Sequence, residues 1–250
     1  MKALPLIPLL VLCALTGAAA DARPPEPLVL ADLTFETDTI GPDEPIQIRS
    51  GRGHSPVSVR RSRLEDVAGL AQDESDGAVR FAIPSEAGRT ECTGNRNGEA
   101  AEGTCRFVSN PAFEAGLAER GIAFERRGDL ITLALVDARM ALVDDLSRDG
   151  FVIADSADLV AATALRITGA WAHELKRAGL TVKDFSDLIA ARALDVDGAF
   201  LRAMAKVGYP RLSANQAVAM KAVGVTPAYA EAMNRAALAM RAIDEAGELQ

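Results

Sequence analysis

The chain is poor in histidine, cysteine and aromatic residues. His54 and His173 are its two histidines in 250 residues, which leaves little scope for a histidine-rich metal centre. His173-Glu174 opens like the H-E-x-x-H helix of a zinc peptidase, but Arg177 stands where the second ligand belongs. We read His173 as an exposed helix residue. His54 lies beside Ser55 in a Gly-rich loop, and no third partner or oxyanion hole for a Ser-His-Asp triad is recognisable. It reads as surface loop. Aromatic residues make up 4 %, and abundant alanine suits small helices packed closely together.

Basic residues are also in deficit. Lys and Arg number 27 against 35 Asp and Glu, a formal charge of −8. Such a chain repels phosphate backbones and anionic membrane surfaces, which argues against nucleic acid as a partner. No apolar run reaches the about 20 residues that a bilayer-spanning helix needs. The longest, Leu4 to Leu15, is interrupted by Pro5 and Pro8, follows Met1-Lys2 and leads to the small residues Thr16-Gly17-Ala18-Ala19-Ala20. Residues 1–20 therefore read as an export signal cleaved before Asp21. Leu10-Val11-Leu12-Cys13 resembles a lipoprotein cleavage box, but Leu12 is bulky where a small residue is usual. Lipidation at Cys13 is the less favoured alternative. Without Lys2 the charge becomes −9. The exported remainder, periplasmic or extracellular, is long enough for one large or two small domains.

Cys13 leaves with the signal, so Cys92 and Cys105 remain as an even pair in an oxidising compartment. They bracket Thr93-Gly94-Asn95-Arg96-Asn97-Gly98-Glu99, a composition that reads as a hairpin loop. A structural disulfide is the preferred reading. A redox pair is the alternative, but such pairs usually sit as C-x-x-C.

What is present divides the chain. Residues 21–27 form a proline-rich leader. Residues 28–109 favour strands: Leu28-Val29-Leu30, Ile46-Gln47-Ile48 and Val57-Ser58-Val59 are β-prone, and Val79, Phe81 and Ile83 alternate with Arg80 and Ala82. Residues 110–250 repeat every 29 positions. Gly121, Gly150, Gly179 and Gly208 share one column, with Ala237 in the last row. Leu117, Leu146, Leu175, Met204 and Met233 share another; Phe113, Leu142, Trp171, Phe200 and Tyr229 a third; Ile122, Phe151, Leu180, Tyr209 and Leu238 a fourth. Asp155, Asp184 and Ser213 align as caps of first helices through Leu159–Ile167, Leu188–Val196 and Ala217–Val223. Asn110, Thr168, Asp197 and Thr226 align as caps of second helices, with Pro111 and Pro227 at the first helical position. The glycine column ends those helices, since glycine adopts the left-handed conformation cheaply. The last helix should run to about Ala246 with Gly247 as its stop. The expected fold is α+β: a small antiparallel β unit followed by a stack of helical hairpins, α-solenoid-like.

Gly224-Val225-Thr226-Pro227-Ala228-Tyr229, with Gly208-Tyr209 and Leu212-Ser213-Ala214 before it, resembles the helical repeats that follow the peptidase domain in β-lactam-sensor-type antirepressor metallopeptidases. Gly103-Thr104-Cys105-Arg106-Phe107, leading into Asn110-Pro111-Ala112-Phe113, is similar to the β-to-helix junction of such proteins. The likeness spans Val79 to Met240 and is sharpest in the last row; Met140, Gly169 and Gly198 replace the proline elsewhere. The peptidase signature is absent. The resemblance implies a helical-repeat fold and an envelope-sensing context, and no activity.

The remaining clusters have bland readings. Asp73-Glu74-Ser75-Asp76 lacks the spacing and closing Glu of an EF-hand, and Asp144-Asp145 reads as a solvated helix face. Arg60-Arg61-Ser62-Arg63 could bind an anion but reads as an exposed strand face or edge, and Gly51-Arg52-Gly53 lacks the strand-to-helix setting of a phosphate loop. Trp171, sharing a column with Phe200 and Tyr229, reads as core. No catalytic, cofactor or metal site is expected. The preferred function is an exported binding module for a protein or peptide partner. A sensor of a small envelope ligand, bound in a polar pocket between the β unit and the first helices, is the runner-up. A carboxylate-based hydrolase would need a deep cleft with two facing carboxylates of raised pKa. An assembly subunit also remains open.

Overall fold

The computed structural model describes residues 25–247 except 42, 52–54 and 72–75, with side chains to 241. The expected signal and most of the leader, His54, and Asp73-Glu74-Ser75 lie outside the described residues.

Alternation of apolar and polar residues builds the strands. In β1 (Val29–Thr37) Leu33, Phe35 and Thr37 point inward while Thr34 and Glu36 face water. The alternation slips by one between Leu30 and Leu33, and there the pairing of β1 with β7 (Ala100–Ser109) shifts register, as a bulge does. With β2 (Ile46–Ser50), β3 (Val57–Val59), β4 (Glu65–Ala68), β5 (Gly77–Ser85) and β6 (Gly88–Asn97) these strands form one antiparallel sheet in the order β3-β2-β1-β7-β6-β5-β4. The sheet is curled into a half-barrel. Its inner face holds Phe35 and Phe81, edge to face with ring centroids 4.9 Å apart.

The helices are α1 (Pro111–Glu119), α2 (Leu130–Val136), α3 (Met140–Arg148), α4 (Ser156–Ala164), α5 (Gly169–Arg177), α6 (Phe185–Ala193), α7 (Gly198–Lys206), α8 (Ala214–Ala222) and α9 (Pro227–Gly247). Two short strands, β8 (Leu180–Thr181) and β9 (Leu212–Ser213), lie among them. Leu130, Ile131, Leu133, Ala134 and Leu135 of α2 are buried. This helix rests on β3, β5, β6 and β7 at once. A seven-residue helix is about 10 Å long, whereas strands five places apart in a flat sheet would lie about 24 Å apart. The curl is what lets α2 touch both β3 and β5.

These findings correct the expected fold class. The sheet is large, not a small appended unit, and the fold is a seven-stranded half-barrel followed by helices; a helical-hairpin solenoid is not indicated. One physical reason is that α2 fills the curl of the sheet, so the hydrophobic core runs without interruption from Phe35 and Phe107 through Leu130 and Leu133 to Leu159 and Leu188. Another is that extended segments alternate with the helices and pair with one another in parallel. The Gly/Asn-rich stretch at 93–99 also differs from expectation. Most of it is strand, with the turn confined to Gly98-Glu99. Partners on both sides complete its hydrogen bonds, β5 and β7, so the ladder overrides a turn-like composition.

Arg60-Arg61-Ser62-Arg63 is another correction, because Arg61–Arg63 is a 3-10 turn and not a strand face. Arg61 donates to the carbonyls of Glu44 and Leu70, at 3.1 and 3.2 Å. Arg63 donates to Leu135 O, and to Ala134 O at 2.9 Å, with Asp137 3.7 Å away. Those carbonyls lie at the C-terminal end of α2, where helical partners run out; Ala134 O also accepts Asp137 N–H at 3.2 Å, and Arg63 ties both to the sheet. Burial pulls both guanidinium pKa values down.

Candidate functional site

The connectors between helices run side by side. The first pair is joined by a parallel bridge of Ala123 with Asp155: Ala123 N–H donates to Ala154 O at 3.1 Å, and Ser156 N–H to Ala123 O at 2.8 Å. The later pair is β8 with β9, Leu180 opposite Leu212 and Thr181 opposite Ser213. Between the pairs the ladder is broken. Among the described residues no backbone hydrogen bond joins 151–154 to β8. At the break a cleft of about 690 Å³ opens, within the size range of ligand sites.

Its walls are apolar, from Phe151, Val152, Leu180, Val182 and Phe185, and Lys176, Lys183, Asp158 and Asp184 surround them. Val152 is largely exposed. Helix starts place the carboxylates. The Asp155 side chain caps α4 by accepting from Asp158 N–H at 2.8 Å, and Asp184 caps α6 by accepting from Asp187 N–H at 3.2 Å. Burial pushes the Asp158 carboxyl above the usual range, and the negative charges of Asp155 and Asp184 add to the shift. The Ser186 hydroxyl, donating at 2.6 Å, holds the Asp184 carboxyl below its usual range, helped by the Asp187 N–H. Lys176 donates to Asp149 O at 2.8 Å and its ammonium sits 5.8 Å from the Phe151 ring centroid.

Opposite displacement of two carboxylates is the pattern of an acid–base pair. Here the helix starts account for it: Asp184 is exposed and its Oδ1 accepts both the Ser186 hydroxyl and the Asp187 N–H. What the cleft offers a ligand is a pair of backbone edges, an apolar wall, the aspartates Asp149, Asp158 and Asp184, and the lysines Lys176 and Lys183.

The region between the sheet and the first helices, where a small-ligand pocket was expected, holds a cavity of about 250 Å³. Leu33, Ile48, Val57, Ile131, Leu135 and Val136 line it, and the polar groups there are hydroxyls of Ser50, Ser55 and Thr132. Among the described residues no charged side chain lines it to orient a polar ligand.

Cys92 and Cys105 are joined by a disulfide across directly opposite positions of β6 and β7, Cα atoms 4.1 Å apart. Gly121, Gly150, Gly179 and Gly208 all have positive φ, between 73° and 105°, and each lies just past a helix. Pro111 and Pro227 open α1 and α9. Trp171 and Phe200 are half-buried under cations, Arg192 at 5.3 Å and Lys221 at 5.1 Å from the ring centroids. Tyr229, expected to share their setting, is exposed, because no described element packs on that side of α9. His173 is exposed, its Nδ1 2.7 Å from Asp149 Oδ1. Asp144 pairs with Arg120 at 2.7 Å, which holds the Asp144 carboxyl below its usual range, and Asp145 pairs with Arg148. Of all these positions none lines the cleft except Gly150. Sequence reasoning noted Asp155, Asp158 and Asp184 as capping residues only. The signal that they converge lies in the 29-residue offset of Asp155 and Asp184, read together with the pairing of the connectors. Comparison with models of known families, with curated proteins and with solved structures finds no match for this chain.

Proposed function

We propose that the protein is an exported, non-catalytic binding module that takes an extended peptide segment of a cell-envelope protein into the cleft between 151–154 and β8. The observation that carries this reading is the broken ladder: two connector pairs hydrogen-bond in parallel, and the gap between them is a cleft. An inserted strand would pair with the edges on either side, the mode by which exposed strands recruit peptides. Alternate side chains of such a segment would lie on Phe151, Val182 and Phe185, and a Lys or Arg would meet Asp158 and Asp184. Export rests on the character of residues 1–20. The resemblance to antirepressor-type repeats supports an envelope-sensing context.

The test is selection from a random decapeptide display library on the purified protein, then titration of enriched peptides by fluorescence anisotropy. Enriched peptides should alternate apolar residues and carry Lys or Arg. Val182→Asp, which puts a charge on the apolar wall, should weaken them at least tenfold, about 1.4 kcal/mol. No enrichment, or binding indifferent to Val182→Asp and Asp158→Asn, sinks the reading.

A further inference from the structure

The gap in the connector ladder has a register. In each intact pair a residue lies opposite the one 32 places further on: Ala123 opposite Asp155, Leu180 opposite Leu212, Thr181 opposite Ser213. The same offset sets Val152 against Asp184, and these two residues stand on the two sides of the cleft. In the first intact pair the hydrogen bonds run from Ala123 N–H to Ala154 O and from Ser156 N–H to Ala123 O. The corresponding groups at the break are Val152 N–H, Val152 O, Lys183 O and Phe185 N–H. Among the described residues none of the four has a hydrogen-bond partner.

Open backbone edges are satisfied by another strand. A strand turns the N–H and C=O of successive residues to alternate sides. A middle residue in the gap therefore pairs with one edge through both of its groups, and the residues before and after it supply one group each to the other edge. Three residues meet all four open groups. In either chain direction the donors are the middle residue and the one that follows it. Side chains alternate in the same way. Val152 and Asp184 are exposed, as are Ala123, Asp155 and Thr181 at the intact pairs, so the middle side chain lies on the water face beside the Asp184 carboxylate. Its two neighbours turn to the opposite face, where Phe151 is half-buried and Ile153 and Phe185 are buried.

We propose that the cleft reads a three-residue sequence, apolar–basic–apolar, with its Lys or Arg centred between Val152 and Asp184. This rests on the peptide-binding reading above and adds the register and the order of side chains. An acid in the middle would meet Asp184, with Asp158 in the same cleft, whereas a base is attracted there. The net charge of −8 draws a basic segment toward the protein. Apolar residues on either side are the ones that Phe151 and Phe185 can cover.

The probe is the peptide acetyl-Thr-Gln-Val-Lys-Val-Gln-Thr-amide, titrated by amide NMR into the protein purified from cells expressing the full chain. It should bind, shift the Val152 and Phe185 amides and slow their hydrogen exchange. Glutamate in place of the central lysine should weaken binding about tenfold or more. So should N-methylation of that lysine or of the valine after it, while N-methylation of the last threonine should not. Asp184→Asn, which keeps the helix cap, should weaken the lysine peptide about threefold or more and leave a peptide with central glutamine unchanged. Binding indifferent to the N-methyl groups or to the central charge overturns the proposal. So does slow exchange of both amides in the free protein, which would mean that the chain closes the gap on itself. Display-selected peptides that bind while this probe does not would overturn the three-residue sequence and leave the peptide-binding reading standing. If no peptide binds, both fall.

Discussion

Asp158 and Arg63 show how single side chains are judged by their surroundings. The folded protein raises the Asp158 pKa, through burial and then the charge of Asp155. The sign follows: the neutral form favours folding, so the contribution is present at low pH and is lost as pH rises through the folded pKa. Asp158→Asn should therefore stabilise the protein at pH 7, by up to about 0.5 kcal/mol for a partly exposed group, or about 1–2 °C in Tm. The gain should shrink toward pH 3, where the parent carboxyl is neutral in both states, and thermal melts across pH would show it. Arg63 is the opposite case, a half-buried cation bound to the α2 carbonyls. Arg63→Ala removes the side-chain partner of Leu135 O and one of the two donors to Ala134 O, and should cost about 1–2 kcal/mol, measured by urea unfolding. Arg148→Ala, on an exposed pair, should cost under about 1 kcal/mol. Nothing in the Arg60–Arg63 sequence separated the two arginine roles, because the carbonyls they reach are 9, 17, 71 and 72 residues away.

At the scale of elements, the helix starts were legible and the sheet was only partly so. Asn110, Asp155, Thr168, Asp184, Asp197 and Ser213 each accept from a backbone N–H two or three residues on. Capping is local chemistry, which is why sequence spacing reveals it. Asp197→Ala should cost about 1 kcal/mol, seen as loss of amide protection in α7 by hydrogen exchange. β6 and β7 instead depend on partners far along the chain. Gly103 shows why: a Cβ there would lie within about 2.5 Å of Gly94 Cα and the Phe35 ring. Gly103→Ala should force backbone apart and lower stability by about 2–3 kcal/mol, checked by calorimetry. Replacing Cys92 and Cys105 together by alanine should cost about 3 kcal/mol in the chain-entropy model, since their bridge closes a loop of sequence separation 13.

For the whole molecule, the continuous core predicts joint behaviour. The division at 109/110 falls between β7 and α1, yet α2 covers the inner face of the sheet. Residues 21–109 expressed alone should lack a cooperative unfolding transition and bind a hydrophobic dye, because Phe35, Phe81 and Phe107 would lose their cover. The full chain should unfold in one transition by scanning calorimetry. Two separate transitions would show that the halves stand alone.

The sequence by itself determined the helix caps, the left-handed glycines and the alternation that makes the strands, because each of these is settled within a few residues. Tertiary structure alone decided that the sheet curls round α2, that Arg61 and Arg63 bind carbonyls, and that two connector pairs join while the middle one parts to leave a cleft. Those outcomes depend on which distant surfaces meet, and spacing along the chain does not carry that information.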